Sequence, residues 1–358
     1  MPLSFADRTA PGITRKDDGD GFAYYSPRGR LISDARTLKR VTGLAIPPAW
    51  REVWIAPQAG AHIQATGLDA KGRLQYRYHA EFRASQEAQK FARLIKFAEC
   101  LPKLREAVER DMRRPGLIRE RALATLVYLL ETTLIRIGNP EYARQNASFG
   151  LSTLTPEHVE VVGSKLTFEF TGKSGKTWKV SLRDRRAAAV MRACQELPGQ
   201  KLFQYLDEEG RRRPVTSADV NAYLREASGR RISAKDFRTW SGTMLCAVAL
   251  AKAPPETSQR GLKRQIAEAM REAARALGNT AAVCRSSYVH PGILEAHHSG
   301  DLHKAMALAE RRAHEPGRLK PHEQEVVRLL RRLERAKAAL QTQTEKIAVA
   351  VLAAAAPL

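Results

Sequence analysis

Three short segments of the chain hold residue types that could act on a phosphate. Leu134-Ile135-Arg136-Ile137-Gly138 sets an Arg in an apolar frame. Burying an unpaired Arg is costly, so Arg136 must meet either a structural carboxylate or an anionic ligand, and the segment alone does not choose between them. Lys235-Asp236-Phe237-Arg238-Thr239-Trp240 places two cations three residues apart at the start of an apolar stretch. Helical spacing would put Lys235 and Arg238 on one face, and a helix N-terminus favours an anion; a solvated helix start is the plainer alternative. Leu277-Gly278-Asn279-Thr280, followed by Arg285-Ser286-Ser287-Tyr288-Val289-His290, offers a phenol, although a lone Tyr is more often packing than nucleophile. Cutting a phosphodiester without a metal needs a nucleophile, donors for the phosphate oxygens and an acid for the leaving oxygen. Arg suits the second task, being always charged and able to donate two parallel hydrogen bonds.

The elements that would position these residues can be read from the pattern. A chain of 358 residues fits roughly two domains, and 43% hydrophobic content is enough for buried cores. The first part alternates in short stretches at Gly21–Tyr25, Trp50–Ala56, His62–Thr66 and Leu74–His79, separated by turns such as Ser26-Pro27-Arg28-Gly29, and so predicts a small β-rich domain. From Glu81 the character turns helical. Leu123, Leu126, Val127, Leu130 and Leu134 form a helical stripe that Gly138 and Pro140 should stop. His158–Val162, Lys165–Thr171 and Thr177–Leu182 alternate like three antiparallel strands, with Gly163-Ser164 and Gly172-Lys173-Ser174-Gly175 at the turns. Thr239–Ala253 and Leu262–Leu277 predict further helices, and the chain beyond Gly300 is helical and basic. The fold class is therefore α+β, with expected domains at residues 1–90, 91–300 and 301–358. The last is a basic helical extension that either packs on the preceding domain or adds affinity for a polyanion.

Sixty Lys and Arg against 38 Asp and Glu give a formal charge of +22, which points to nucleic acid as partner, a merely basic or ribosome-associated protein being the alternative. No run of 18 apolar residues predicts a membrane span; the Ala-rich stretch Ile347–Leu358 is too short. The N-terminus lacks the pattern of a secretory signal. The four cysteines, Cys100, Cys194, Cys246 and Cys284, are scattered, as suits a reducing compartment, and Cys284 is expected to be buried and inert. The His residues lack zinc-site spacing. Neither a metal nor a cofactor is expected, and a cytoplasmic, nucleoid-associated location is. Arg211-Arg212-Arg213 is read as a solvated turn and Trp240 as core packing.

Taken together, the order Arg136, hairpin Lys173, Lys235-x-x-Arg238, Tyr288 resembles the catalytic domain of type IB DNA topoisomerases, and most of all the compact bacterial and poxvirus branch. Gly72-Arg73-Leu74-Gln75-Tyr76-Arg77-Tyr78-His79 is similar to that branch's N-terminal DNA-clamping motif, and the likeness spans roughly residues 20 to 295. It implies a monomeric two-lobed clamp, a small β-rich lobe and a larger helical lobe with a three-stranded antiparallel sheet, closing on duplex DNA. It implies that supercoils relax without ATP or metal, through a 3′-phosphotyrosyl bond at Tyr288. By the same resemblance Arg136 and Arg238 hold the transition-state phosphate, Lys173 protonates the leaving oxygen, Lys235 assists it, and Gln75, Tyr76, Tyr78 and Tyr142 contact DNA. One position departs: the family often has His where this chain has Asn279, which can donate a hydrogen bond to phosphate but carries no charge. Nine residues of unbroken helix would also leave Asn279 and Tyr288 on opposite faces, ~13 Å apart, so a shared role needs a break between them. A tyrosine recombinase shares the phosphotyrosine chemistry but usually carries His-x-x-Arg and a helical N-terminal domain. A non-catalytic DNA-binding protein would leave the ordered Arg, Lys and Tyr set unexplained.

Overall fold

The structure, a computed structural model, describes residues 3–354 and the side chains up to residue 343 apart from Gln341. Residues 355–358 of the Ala-rich stretch weighed above lie outside the described residues. The chain divides into two compact units, Met1–Phe91 and Ala92–Leu358.

The first unit is a five-stranded antiparallel sheet with one short helix. Its strands are β1 (Ile13–Asp17), β2 (Phe22–Tyr25), β3 (Arg51–Ile55), β4 (Ile63–Leu68) and β5 (Leu74–Tyr78), in the spatial order β2-β1-β3-β4-β5. Helix α1 (Ala35–Gly43) is capped by Asp34, whose carboxylate accepts from Thr37 N at 2.8 Å, the usual way to satisfy an orphan first-turn donor. Ile13, Tyr24, Val41, Ile46, Val53, Ile55 and Ala65 form the core. Arg15 ties the α1–β3 connection to the sheet, donating to Ile46 O at 3.0 Å, Pro47 O at 2.9 Å and Trp50 O at 2.8 Å.

The second unit is mainly helical. Helix α2 (Ala80–Met112) runs through the division between the units and is followed by α3 (Arg119–Thr133) and α4 (Pro140–Asn146). A three-stranded antiparallel sheet follows, β6 (Val159–Val162), β7 (Lys165–Thr171) and β8 (Thr177–Arg183), in sequential order with Phe168 opposite Val180. Leu166, Phe168 and Phe170 are buried while their neighbours on β7 are not, the period-2 pattern of a half-buried strand. After α5 (Arg185–Glu196) comes a small hairpin, β9 (Gln204–Leu206) and β10 (Arg212–Pro214), then α6 (Ser217–Ser228), α7 (Ala234–Lys252), α8 (Gln259–Leu277), α9 (Ala281–Ser287), α10 (Pro291–His298), α11 (Asp301–Glu310) and α12 (Pro321–Ala354). Helix α7 runs through the core, with Phe237, Trp240, Cys246, Ala247 and Leu250 all buried.

The α+β class stands, and two local expectations change. The α3 stripe ends at Thr133, with Leu134 in the left-handed region at φ 59°, several residues before Gly138. Arg212 and Arg213 belong to strand β10, and Asp207 pairs with Arg211 at 3.1 Å and Arg213 at 2.9 Å. Beyond Gly300 the chain contributes Leu302, Met306, Val326 and Leu330 to the main core. No helix among the described residues is long and apolar enough to cross a membrane.

Candidate active site

Arg238 sits on the second turn of α7, 5% exposed. No carboxylate among the described residues answers its charge. Nη1 donates to Leu134 O and Nη2 to Leu277 O, each at 2.6 Å, so the guanidinium closes the C-terminal ends of α3 and α8, where carbonyls lack helical partners and the dipole is negative. Arg136 lies two residues beyond Leu134, in the irregular stretch between α3 and α4, and its Nη2 donates to Asn279 Oδ1 at 2.6 Å. Burial lowers the pKa of both guanidiniums, and for Arg238 the nearby Arg136 adds to it; Arg still remains charged in proteins.

The break needed between Asn279 and Tyr288 is present. Helix α8 stops at Leu277 with Gly278 left-handed at φ 58°; Asn279 N donates to Ala274 O at 2.9 Å and Gly278 N to Arg275 O at 3.1 Å, a Schellman close. Thr280 then caps the separate helix α9. Tyr288 ends α9, its ring centroid 5.2 Å from the Arg238 guanidinium carbon. Gly242 on α7 makes this approach possible: a Cβ there would lie 2.7 Å from Tyr288 O and 2.9 Å from Tyr288 Cβ. Thr243 Oγ1 donates to Tyr288 O at 3.3 Å and accepts from His290 N at 3.1 Å, so α7 holds the tyrosine segment from both sides.

The phenol of Tyr288 is half-buried. Burial alone would raise its pKa, but Arg238, Arg136 and Lys173 outweigh it and hold the phenol below its ordinary value. Around it, Arg136 Nη1, Arg238 Nε and Asn279 Nδ2 are buried donors without a partner. Three orphaned buried donors, two of them cationic, would be costly unless an anion meets them. Among the described residues no three His, Cys, Asp or Glu side chains are arranged to hold a metal ion.

Other expected residues are placed differently. Lys173 lies exposed in the turn between β7 and β8, near enough to act on the Tyr288 phenol. Lys235 is exposed on the first turn of α7, its ammonium bonded to no described residue, while Arg238 one turn on is buried. The anion position at the start of α7 is taken by Asp236, whose carboxylate accepts from Ser233 N at 2.7 Å. Tyr142 is 46% exposed on α4. On β5 the alternation of a strand separates the other candidates: Tyr76 and Tyr78 are exposed and stacked, with ring centroids 5.8 Å apart, while Gln75, pointing the other way, donates to Asp69 at 2.9 Å. Cys284 is buried beneath the cluster, and burial raises its thiol pKa.

Two residues escaped the sequence reading. Lys176 Nζ donates to Asn279 O at 3.2 Å, bringing a further ammonium to the site; the doubled Lys of Gly172-Lys173-Ser174-Gly175-Lys176 was the available signal. Trp178 on β8 packs its indole between the two glycines Gly172 and Gly278, where an added Cβ would lie 2.6 Å from the ring in each case. It thereby pins the lysine turn to the end of α8.

A phenol among guanidiniums in a strongly basic chain has clear relatives. The family model of the eukaryotic DNA topoisomerase I catalytic core matches residues 79–315, and that of the bacterial DNA topoisomerase IB N-terminal domain matches residues 21–69. The chain is 35% identical to the DNA topoisomerase 1B of Acanthamoeba polyphaga mimivirus over 292 residues, 79% of this chain and 87% of the viral one. It is 21% identical to the DNA topoisomerase I of Monkeypox virus over 270 residues, 72% and 79% of the two chains. These matches place it among the DNA topoisomerases, enzymes whose substrate is DNA. More narrowly, the chain belongs to the type IB family, in its bacterial and poxvirus branch.

Proposed function

We propose that this type IB topoisomerase relaxes supercoiled duplex DNA by a transient 3′-phosphotyrosyl bond at Tyr288. The phenol oxygen attacks a backbone phosphorus and gives up its proton to solvent; the bond from phosphorus to the 5′ oxygen breaks, and that oxygen takes a proton from the Lys173 ammonium. The strand end then swivels, and the 5′ hydroxyl reverses the exchange. One phosphoester replaces another at each step, so no ATP is consumed. The charge that builds on the phosphate oxygens would be met by Arg136, Arg238 and Asn279, which supply the work a metal does elsewhere. Lys235 would assist the proton transfer from the rim.

The observation that carries this reading is the electrostatic setting of Tyr288: a phenol held below its usual pKa among cations that no carboxylate among the described residues neutralises, with three buried donors left unbonded. Tyr76, Tyr78, Gln75 and Tyr142 would touch the duplex, with residues 1–90 the DNA-contacting domain, 91–300 the catalytic domain and 301–358 an extension. The protein would act as a monomer at the nucleoid in the cytoplasm.

Plasmid relaxation in EDTA without ATP tests the reading. Relaxed circles from the wild type and none from Tyr288→Phe are expected; relaxation by the mutant would remove Tyr288 from the chemistry.

A further inference from the structure

Helix α12 begins at Pro321, beyond residue 315 where the catalytic-core match ends. Its basic composition suggests a second DNA-binding arm, yet three of its exposed cations pair with carboxylates of other helices. Arg332 pairs with Asp301 at 2.8 Å, Lys337 with Glu295 at 2.8 Å, and Arg331 with Glu99. Val326, Leu329 and Leu330 are buried. Leu330 and Leu333 close on Gly292, where an added Cβ would lie 3.1 Å from each, four residues after Tyr288.

The first turn of the helix makes the deepest connection. Glu323, 6% exposed, accepts from Arg105 of α2 at 2.7 and 2.8 Å. Arg105 is shared with Glu131 of α3 at 2.5 and 2.8 Å. Trp240 Nε1 of α7 donates to Glu323 Oε1 at 3.4 Å, and Lys320 N donates to Oε2 at 2.9 Å. One carboxylate thus joins α12 to α2 and α7, and through Arg105 to α3. Glu131 lies one turn before Leu134, whose carbonyl holds Arg238, and Trp240 lies two residues after Arg238. A buried charge with several partners fixes its neighbours in one arrangement, because any slip leaves it unpaired.

We infer that Glu323 is a positioning residue for the cleavage step: through Trp240 and the Arg105–Glu131 pair it holds α7 and α3 in the relation that seats Arg238 against Tyr288. The inference rests on the roles proposed above for those two residues. It makes α12 a brace for the catalytic unit.

The test measures single-turnover formation of the covalent adduct on a duplex oligonucleotide, its pH profile and the affinity for the same duplex, at a temperature where every variant is folded. Glu323→Ala should slow cleavage by ~10- to 100-fold, the loss expected when a reacting group is displaced by about 1 Å, with affinity within about twofold of wild type. Its pH profile should move to higher pH, because a displaced Arg238 no longer holds the phenol down. Glu323→Gln, which still accepts from Trp240, should recover most of the rate. Trp240→Phe, which removes the indole donor to Glu323 along with part of the buried ring, should share the slowing and the alkaline shift; it carries the test if Glu323→Ala does not fold. Wild-type cleavage with an unmoved pH profile in Glu323→Ala or in Trp240→Phe overturns the inference. So does a loss of affinity that matches the loss of rate. Tyr288→Phe is the separate control: adduct formed by that variant would sink the site assignment itself, whatever the Glu323 variants do.

Discussion

Arg136 and Asn279, 143 residues apart in sequence, are joined by a 2.6 Å hydrogen bond from Nη2 to Oδ1. The bond orients both. It takes up the amide oxygen, so that the Asn279 amide nitrogen remains as a donor, and it leaves Arg136 Nη1 unbonded as well. Asn279 therefore presents an unbonded neutral donor where the resembling family more often has His.

Asn279→Ala should slow cleavage by ~10²-fold, the usual loss for one oxyanion donor, while Asn279→Asp should slow it more, since a carboxylate would both pair with Arg136 and repel the phosphate. Single-turnover adduct formation measures both. Near-normal cleavage in the Ala variant would remove Asn279 from the phosphate site.

Arg238 closes two helix ends and, on the proposed reading, also holds the phosphate, and substitution should separate the two. Lys cannot bridge Leu134 O and Leu277 O as a planar fork does, so Arg238→Lys should cut the cleavage rate by ~10²-fold or more. Arg238→Ala should in addition lower unfolding stability by about 1–3 kcal/mol, because two buried carbonyls lose their donor. Denaturant unfolding beside the cleavage assay distinguishes the two losses.

Lys173→Ala should slow cleavage by ~10²- to 10⁴-fold, the range for a general acid. A substrate whose leaving 5′ oxygen is replaced by sulfur needs little protonation and should cleave at similar rates with either protein. Trp178→Ala, which frees the lysine turn, should show a weaker form of the same defect and the same rescue. A Lys173→Ala defect that persists with the sulfur substrate would assign that residue to binding alone.

His290, two residues after Tyr288, gives a pH prediction for stability. Burial, helped by Lys337, pushes its pKa down to about 4, and its Nδ1 accepts from Gly292 N at 3.0 Å, which needs the neutral ring. The unfolded chain binds the proton near pH ~6.5, so the native state has its full advantage above that value and loses it as pH falls toward 4. The loss amounts to about 3 kcal/mol at most. Thermal unfolding against pH should show this decline in the wild type and a weaker one in His290→Asn; equal declines would place the acid sensitivity elsewhere.

The parts of the fold that announced themselves were those whose pattern is local. Strand β7 alternates Leu166, Phe168 and Phe170 with polar residues, and β8 answers it in register. Strand β1 did not, because Ile13 is its only strongly apolar residue and its pairing with β2 and β3 is what makes it a strand. The site divides in the same way. Arg136, Arg238, Asn279 and Tyr288 came from short motifs, and the structure brings them together. The contacts that seat them, Lys176 on the Asn279 carbonyl, Trp178 against Gly278 and Gly242 beneath Tyr288, join distant segments and have no local signature. The Tyr76–Tyr78 stack follows from strand alternation, and the same alternation turns Gln75 to the other face.

Denaturing a cleavage reaction and digesting the protein tests the central claim most directly. The account predicts a DNA 3′ phosphate covalently carried by the peptide that contains Tyr288, with a free 5′ hydroxyl on the strand at the other side of the nick. An adduct on any other residue, or a 5′ phosphate bound to the protein, would contradict it.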